Sequence, residues 1–198
     1  RFFTYHEKKR PYIILKYAAT LDGFLAEPDG KSKWITSSKS RESVQLLRST
    51  CDAILVGRHT VEKDDPSLTS HGIGKDPIKI ILDPSNKLSK EYSAIDENTI
   101  HFTSELISNS PKENIDIVLN KLYQMNIQSL LVEGGAVTLT HFIESDMFDE
   151  IHAYYAPKLL GKGKTIFNGK KGISELLNLS IVDTEIFEND IKITYKRD

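Results

Sequence analysis

This chain has little of what usually announces a function. Among its 198 residues there is one cysteine, one tryptophan and two methionines. A single thiol, Cys51, excludes an internal disulfide and suits a reducing compartment, so a cytoplasmic location is expected. Nothing beside Cys51 marks it as activated, and it reads as a small core residue. The six histidines are scattered with no HxxxH, and no CxxC occurs, so no metal is expected. There is no GxSxG elbow for nucleophilic hydrolysis. No apolar run approaches the roughly 20 residues of a membrane-spanning helix, and the start does not resemble a signal peptide.

Charge of one sign is also missing. Lys and Arg number 26 against 28 Asp and Glu, a formal net charge of -2. That leaves no electrostatic footprint for nucleic acid. The basic clusters "HEKKR" (6–10) and "KGK…GKK" (162–171) read as solvated loops. Phosphate motifs come close and fail. "LLGKGKTIF" ends like a P-loop but has Lys158 where the first glycine belongs, and "GIGKDP" and "GKGKTI" lack the third glycine of a Rossmann fingerprint. Neither methionine stands at the start, so the chain is expected to be a piece of a longer or processed polypeptide.

What remains is 39% hydrophobic and 27% charged, the composition of one globular domain with a full core. "YIILKYAA" (12–19), "AILVG" (53–57), "IKIIL" (78–82) and "TIHF" (99–102) read as strands. "SLLVE" (129–133) and "EIHAYYAP" (150–157) extend that set. Ser37 or Ser38 is placed to cap a helix through "SRESVQLLRST", with Val44, Leu47 and Cys51 on one face. A second helix spans 113–126, with Ile117, Leu119, Leu122 and Met125 at helical spacing, and a third follows in "AVTLTHFIES". The end reads as two alternating strands joined by a hairpin at Glu188-Asn189-Asp190. Strands alternating with helices imply a mostly parallel sheet covered on both faces, with an antiparallel edge. Ligands of such sheets bind beyond the carboxyl ends of the strands.

"LLVEGGAVTLTHFI" (130–143) places a carboxylate at such an end. Two glycines let a ligand approach the backbone closely, and the helix start behind them offers free N–H groups to a phosphate. The alternative is that Glu133 merely complements the helix dipole. Lys16 interrupts an apolar strand, which is costly unless it is paired or faces a cleft; a solvent-facing strand edge is the other reading. "TVEKDDPSLT" (60–69) reads as a loop.

The segments "LKYAATLDGF", "GKSKWITSSKSRESVQLLRSTCDAILVGRHTV", "DDPSLT", "LVEGGA" and "APKLLGKG" are similar, in order and spacing, to the reductase domain of the bifunctional riboflavin-biosynthesis deaminase–reductase. The resemblance runs from about Arg10 to Gly163. It implies a dihydrofolate-reductase-like α/β fold, a mostly parallel sheet flanked by helices with a C-terminal antiparallel hairpin. It also implies NADPH as cofactor and reduction of 5-amino-6-(5-phosphoribosylamino)uracil, a phosphoribosylamino-pyrimidine, to the ribitylamino compound. A homodimer is implied, as is fusion to a zinc deaminase whose HxE…PCxxC pattern is absent here. Residues 1–10 would then be a linker remnant and 11–198 the reductase domain.

The same resemblance implies roles. Lys16 would reach the sugar hydroxyls or help polarise the reacting carbon, and Glu133 would contact the substrate; these two are the catalytic candidates. Ser32, Arg48 and the Leu68 backbone would hold the substrate, with the Arg48 fork on its phosphate. Ala18, Trp34, Thr60 and Asp64 would face the cofactor, and Gly134, Gly135 and the following helix start its pyrophosphate. Ser85, with Asn86 and Lys87, would select the 2′-phosphate or form an ordinary turn. Where the family commonly has an arginine after "DDPSLT" this chain has Ser70-His71, so protonated His71, or Lys75, would take its place. The competing readings are a dihydrofolate reductase or another NADPH reductase of the same fold, and a non-catalytic ligand-binding module.

Overall fold

A computed structural model describes residues 1–89, 91–104, 110–167, 169 and 177–197. Its centre is an eight-stranded sheet. In chain order the main strands are β1 (Tyr12–Thr20), β3 (Ala53–Gly57), β4 (Ile78–Leu82), β5 (Ile100–Phe102), β6 (Ser129–Val132), β7 (Glu150–Ala156), β9 (Leu179–Phe187) and β10 (Asp190–Arg197). They lie side by side as β5-β4-β3-β6-β1-β7-β10-β9. All pairings from β5 to β7 are parallel, and β10 joins β7 and β9 antiparallel.

Alternation along the inner strands sorts their side chains into two apolar layers. Ile13, Leu15, Leu55, Ile80, Leu130 and Val132 pack with α4 (Pro111–Gln124) and α5 (Ala136–Glu144). Ile14, Ile54, Val56, Ile81 and Leu131 face the other way, with Cys51, the partly buried Leu47 of α2 (Ser38–Ser49), and Val61 of α3 (Arg58–Asp64). The even-numbered face of β1 therefore carries Lys16 toward α2.

Ser37 caps α2, its Oγ accepting from the Ser40 N–H, as the sequence suggested. Residues 2–8 form a helix, α1 (Phe2–Lys8), with Tyr5 buried and its hydroxyl donating to the Tyr123 carbonyl. Other expectations need correction. The start of 60–69 is helical in α3, not loop. In α4 the buried face is Ile115, Val118, Leu119 and Leu122, while Ile117 and Met125 are exposed. The C-terminal hairpin turns on Glu188 and Asn189 alone, with Asp190 already in β10. A two-stranded sheet, β2 (Phe24–Ala26) with β8 (Lys164–Thr165), runs through part of the basic cluster read as loop. Lys170 and Lys171 of that cluster lie outside the described residues.

Strand length opens the sheet. β1 pairs with β6 only from Tyr12↔Ser129 to Leu15↔Val132, yet continues along β7 as far as Thr20↔Ala156. Past Val132, β1 and β3 have no strand between them.

Candidate active site

A cleft of about 900 Å³ occupies that opening, within the usual size for a small-molecule site. Its charged centre follows from strand register. Because Leu15 pairs with Val132, the next residues, Lys16 and Glu133, emerge together. The Glu133 N–H donates to the Leu55 carbonyl at 3.0 Å, tying this turn to β3 as well. From α2, Arg48 meets Glu133 with two parallel hydrogen bonds, Nε to Oε1 at 2.8 Å and Nη2 to Oε2 at 3.0 Å. Its Nη1 donates to the Thr69 carbonyl at 3.0 Å. Lys16 Nζ lies 3.8 Å from Glu133 Oε2 and 5.6 Å from the centre of the Tyr154 ring.

All three charged side chains are largely buried. Burial alone would raise the Glu133 pKa, but Arg48 and then Lys16 outweigh it and hold the carboxyl below its usual range. Burial lowers Lys16 despite the pull of Glu133, and Arg48 adds like-charge repulsion. Burial also works against the Arg48 cation, yet the carboxylate beside it raises its pKa overall. With Lys16 protonated the cluster carries one net positive charge, suited to an anionic ligand.

The wall opposite is an open helix start. Gly135 is the N-cap of α5 with no side-chain hydrogen bond, and no acidic residue occupies the first turn. Those N–H groups remain available to a phosphate. Gly134 is required sterically: a Cβ there would sit 2.4 Å from the Thr138 Cβ. A Cβ on Gly57, at the end of β3, would lie 2.7 Å from the Thr138 hydroxyl. Thr138 is thus wedged between two strand ends, a role that nothing in its local sequence marks.

Thirteen of the site residues named from the sequence line this one cleft: Lys16, Ala18, Ser32, Trp34, Arg48, Thr60, Asp64, Leu68, His71, Ser85, Glu133, Gly134 and Gly135. Ser32 Oγ donates to Asp64 at 3.3 Å, joining an expected substrate contact to an expected cofactor contact. Trp34 is 66% exposed, with the Arg41 guanidinium stacked 4.3 Å from its ring centre. Leu68 and His71 have φ of 57° and 52°, a region disfavoured for residues with a Cβ. The segment is held there because Asp76 accepts from the Ser70 N–H and hydroxyl, both at 2.7 Å, and Arg48 takes the Thr69 carbonyl. Ser85 Oγ donates to the buried Asp83, and Asn86 and Lys87 do not line the cleft. Neither does Lys75. Sequence reasoning missed Arg58, His59 and Lys63 of α3, and also His141 and Tyr154, which all border the cleft.

Among the described residues no cluster of three or more His, Cys, Asp or Glu could hold a metal ion. No helix there is long and apolar enough to cross a membrane.

A mostly parallel sheet, an open mouth and an antiparallel hairpin define an α/β protein of the dihydrofolate-reductase-like class; a dihydrofolate reductase from Enterococcus faecalis superposes with a TM-score of 0.58 at 13% identity over 94% of this chain and 96% of its own, a likeness of fold alone. Within that class the chain belongs to the RibD C-terminal domain family, which it matches over residues 11–193. The riboflavin biosynthesis protein RibD of Aquifex aeolicus is 40% identical over 99% of this chain and 60% of its own length. A 2,5-diamino-6-ribosylamino-4(3H)-pyrimidinone 5′-phosphate reductase from Methanothermobacter thermautotrophicus is 29% identical, over 84% of this chain and 88% of its own. The crystal structure of a diaminohydroxyphosphoribosylaminopyrimidine deaminase/5-amino-6-(5-phosphoribosylamino)uracil reductase from Thermotoga maritima has a TM-score of 0.89 at 34% identity. It matches all of this chain over 59% of its own. The chain therefore spans about three fifths of the length of RibD relatives it matches.

Proposed function

We propose that this chain reduces the ribosyl group of 5-amino-6-(5-phosphoribosylamino)uracil to the ribitylamino product, using NADPH. The single observation that carries this reading is the convergence of a buried Lys16–Glu133–Arg48 cluster with an uncapped helix start across one cleft. A dinucleotide fits the second feature: Gly134 has no room for a side chain, and Gly135, Ala136 and Thr60 border the same wall. Thr60, Asp64 and Trp34 would hold the nicotinamide end, and Ser85 the far end. Bound NADPH supplies a hydride to the sugar C1.

The protein's contribution is to hold and polarise. Glu133, ionised by its two cationic neighbours, accepts hydrogen bonds from sugar hydroxyls. Lys16 donates to the ribosyl oxygen that gains negative charge as the ring opens. Arg48 retains N–H groups beyond those given to Glu133 and Thr69, and offers them with His71 to the 5-phosphate. Fixing both reactants in one cleft replaces a bimolecular encounter, a factor potentially worth about 7–11 kcal/mol.

Two wider proposals follow from the family. The greater length of the relatives supports fusion to a zinc deaminase, with 11–198 as the reductase unit and α1 leading into it. A homodimer is supported by β9, a nine-residue edge strand exposing Ile181, Val182 and Ile186. Steady-state loss of NADPH absorbance with the phosphoribosylamino-pyrimidine, against dihydrofolate as control, tests the activity. Turnover with dihydrofolate alone overturns the substrate, and cofactor binding without turnover of either makes the chain a binding module.

A further inference from the structure

Asp22, Lys158 and the main chain at Trp34 and Ile35 have no part in the chemistry above, yet they form one connected structure. Asp22 accepts from the Thr20 hydroxyl at 2.6 Å, the Leu160 N–H at 3.1 Å and the Gly161 N–H at 2.7 Å. The Leu21 N–H donates to the Lys158 carbonyl at 2.9 Å. The segment after β7 is thereby pinned to the end of β1. From it Lys158 Nζ reaches two successive carbonyls, Trp34 O at 3.0 Å and Ile35 O at 2.6 Å. One ammonium on two adjacent carbonyls orients both peptide planes, and charge-assisted bonds are the stronger kind. Arg41 Nη1 takes the next carbonyl, that of Thr36, at 2.8 Å, and Asp190 accepts from the Ser37 N–H at 2.6 Å.

Ser32, Trp34, Ile35 and Thr36 line the cleft, whereas Lys158 and Asp22 do not. We propose that Lys158, anchored through Asp22, is a positioning residue that sets the path of the Ser32–Thr36 loop and so governs cofactor binding at Trp34. This rests on the reading of the cleft as a reductase site. The ammonium acts before ligand arrives. Without it the loop samples other paths, only a fraction of molecules is competent to bind, and apparent affinity falls by that fraction. At saturation the bound cofactor restores the loop, so turnover survives.

Trp34 is the only tryptophan in the chain, so its fluorescence reports this loop without any ligand. Lys158→Met should raise the acrylamide quenching constant about twofold and KM for NADPH about tenfold, with kcat within about twofold. Lys158→Arg should restore both, because a guanidinium also donates to two carbonyls. Far-UV circular dichroism confirms folding, and Lys158→Gln replaces the methionine variant if that fails to fold. Unchanged quenching in a folded variant sinks the proposal. So does a loosened loop with unchanged KM, or a fall in kcat alone. If quenching rises and arginine reverses it, while wild type fails to oxidise NADPH with the pyrimidine, the positioning role stands and the reductase reading falls.

Discussion

Arg48 and Glu133, 85 residues apart in sequence, share two parallel hydrogen bonds at the floor of the cleft. Altering either residue alone therefore leaves the other's charge buried without its hydrogen-bonded partner. The pairing also explains how a carboxylate survives ionised where water is scarce.

Glu133→Gln keeps the shape of the site but removes the charge that balances two cations. Turnover with the pyrimidine should drop on the order of a hundredfold, about 3 kcal/mol of transition-state stabilisation, with circular dichroism unchanged. Wild-type kcat/KM in this variant removes Glu133 from the chemistry.

Arg48→Ala should cost about 3–5 kcal/mol of stability, because it leaves a largely buried carboxylate with Lys16 alone at 3.8 Å. The double variant with Glu133→Gln should be more stable than Arg48→Ala by itself. Urea denaturation of the four proteins measures the coupling, and strictly additive effects would show the pair to be energetically independent.

Gly134→Ala places a methyl 2.4 Å from the Thr138 Cβ, so the start of α5 must move. NADPH affinity, measured by calorimetry, should fall at least about tenfold. Adding Thr138→Ala should not rescue it, because the obstructing atom is the Cβ that alanine keeps; Thr138→Gly should. An unaltered affinity in Gly134→Ala would show that this helix start does not bind the cofactor.

Glu150 contributes to acid stability at the opposite end of the sheet. Burial would raise its pKa, but hydrogen bonds from His152 and Tyr12 prevail and bring it to about 2, from an ordinary 4.5. A depressed carboxyl contributes stability above the ordinary value and loses it as pH falls toward the folded one. Wild type should therefore lose up to about 3 kcal/mol more than Glu150→Gln between pH 5 and pH 2. Parallel urea midpoints for the two proteins across that range would contradict the assignment.

The inner strands β1, β3, β4 and β6 were legible in the sequence because burial on both faces makes them continuous apolar runs. The α2 cap was legible for its serine. α3 was not: it begins on a glycine, runs seven residues and buries only Val61, so it carries neither cap nor stripe. The α4 stripe was misplaced because Ile117 and Met125 are apolar without being inside. In the cleft, Lys16, Glu133, Gly134 and Gly135 were visible as charges and glycines out of place in apolar runs, whereas the other site residues were named through the family resemblance. The pairings were not legible, since Arg48–Glu133 and Ser32–Asp64 are made by the sheet and not by local spacing.

The four-residue length of β6 has a further effect. The aperture between β1 and β3 is as wide as one missing strand and as deep as the excess of β1 over its neighbour. An insertion that prolonged β6 by even two residues would carry Glu133 upward and shutter the mouth, so pocket depth in this architecture is metered by where a single short strand stops.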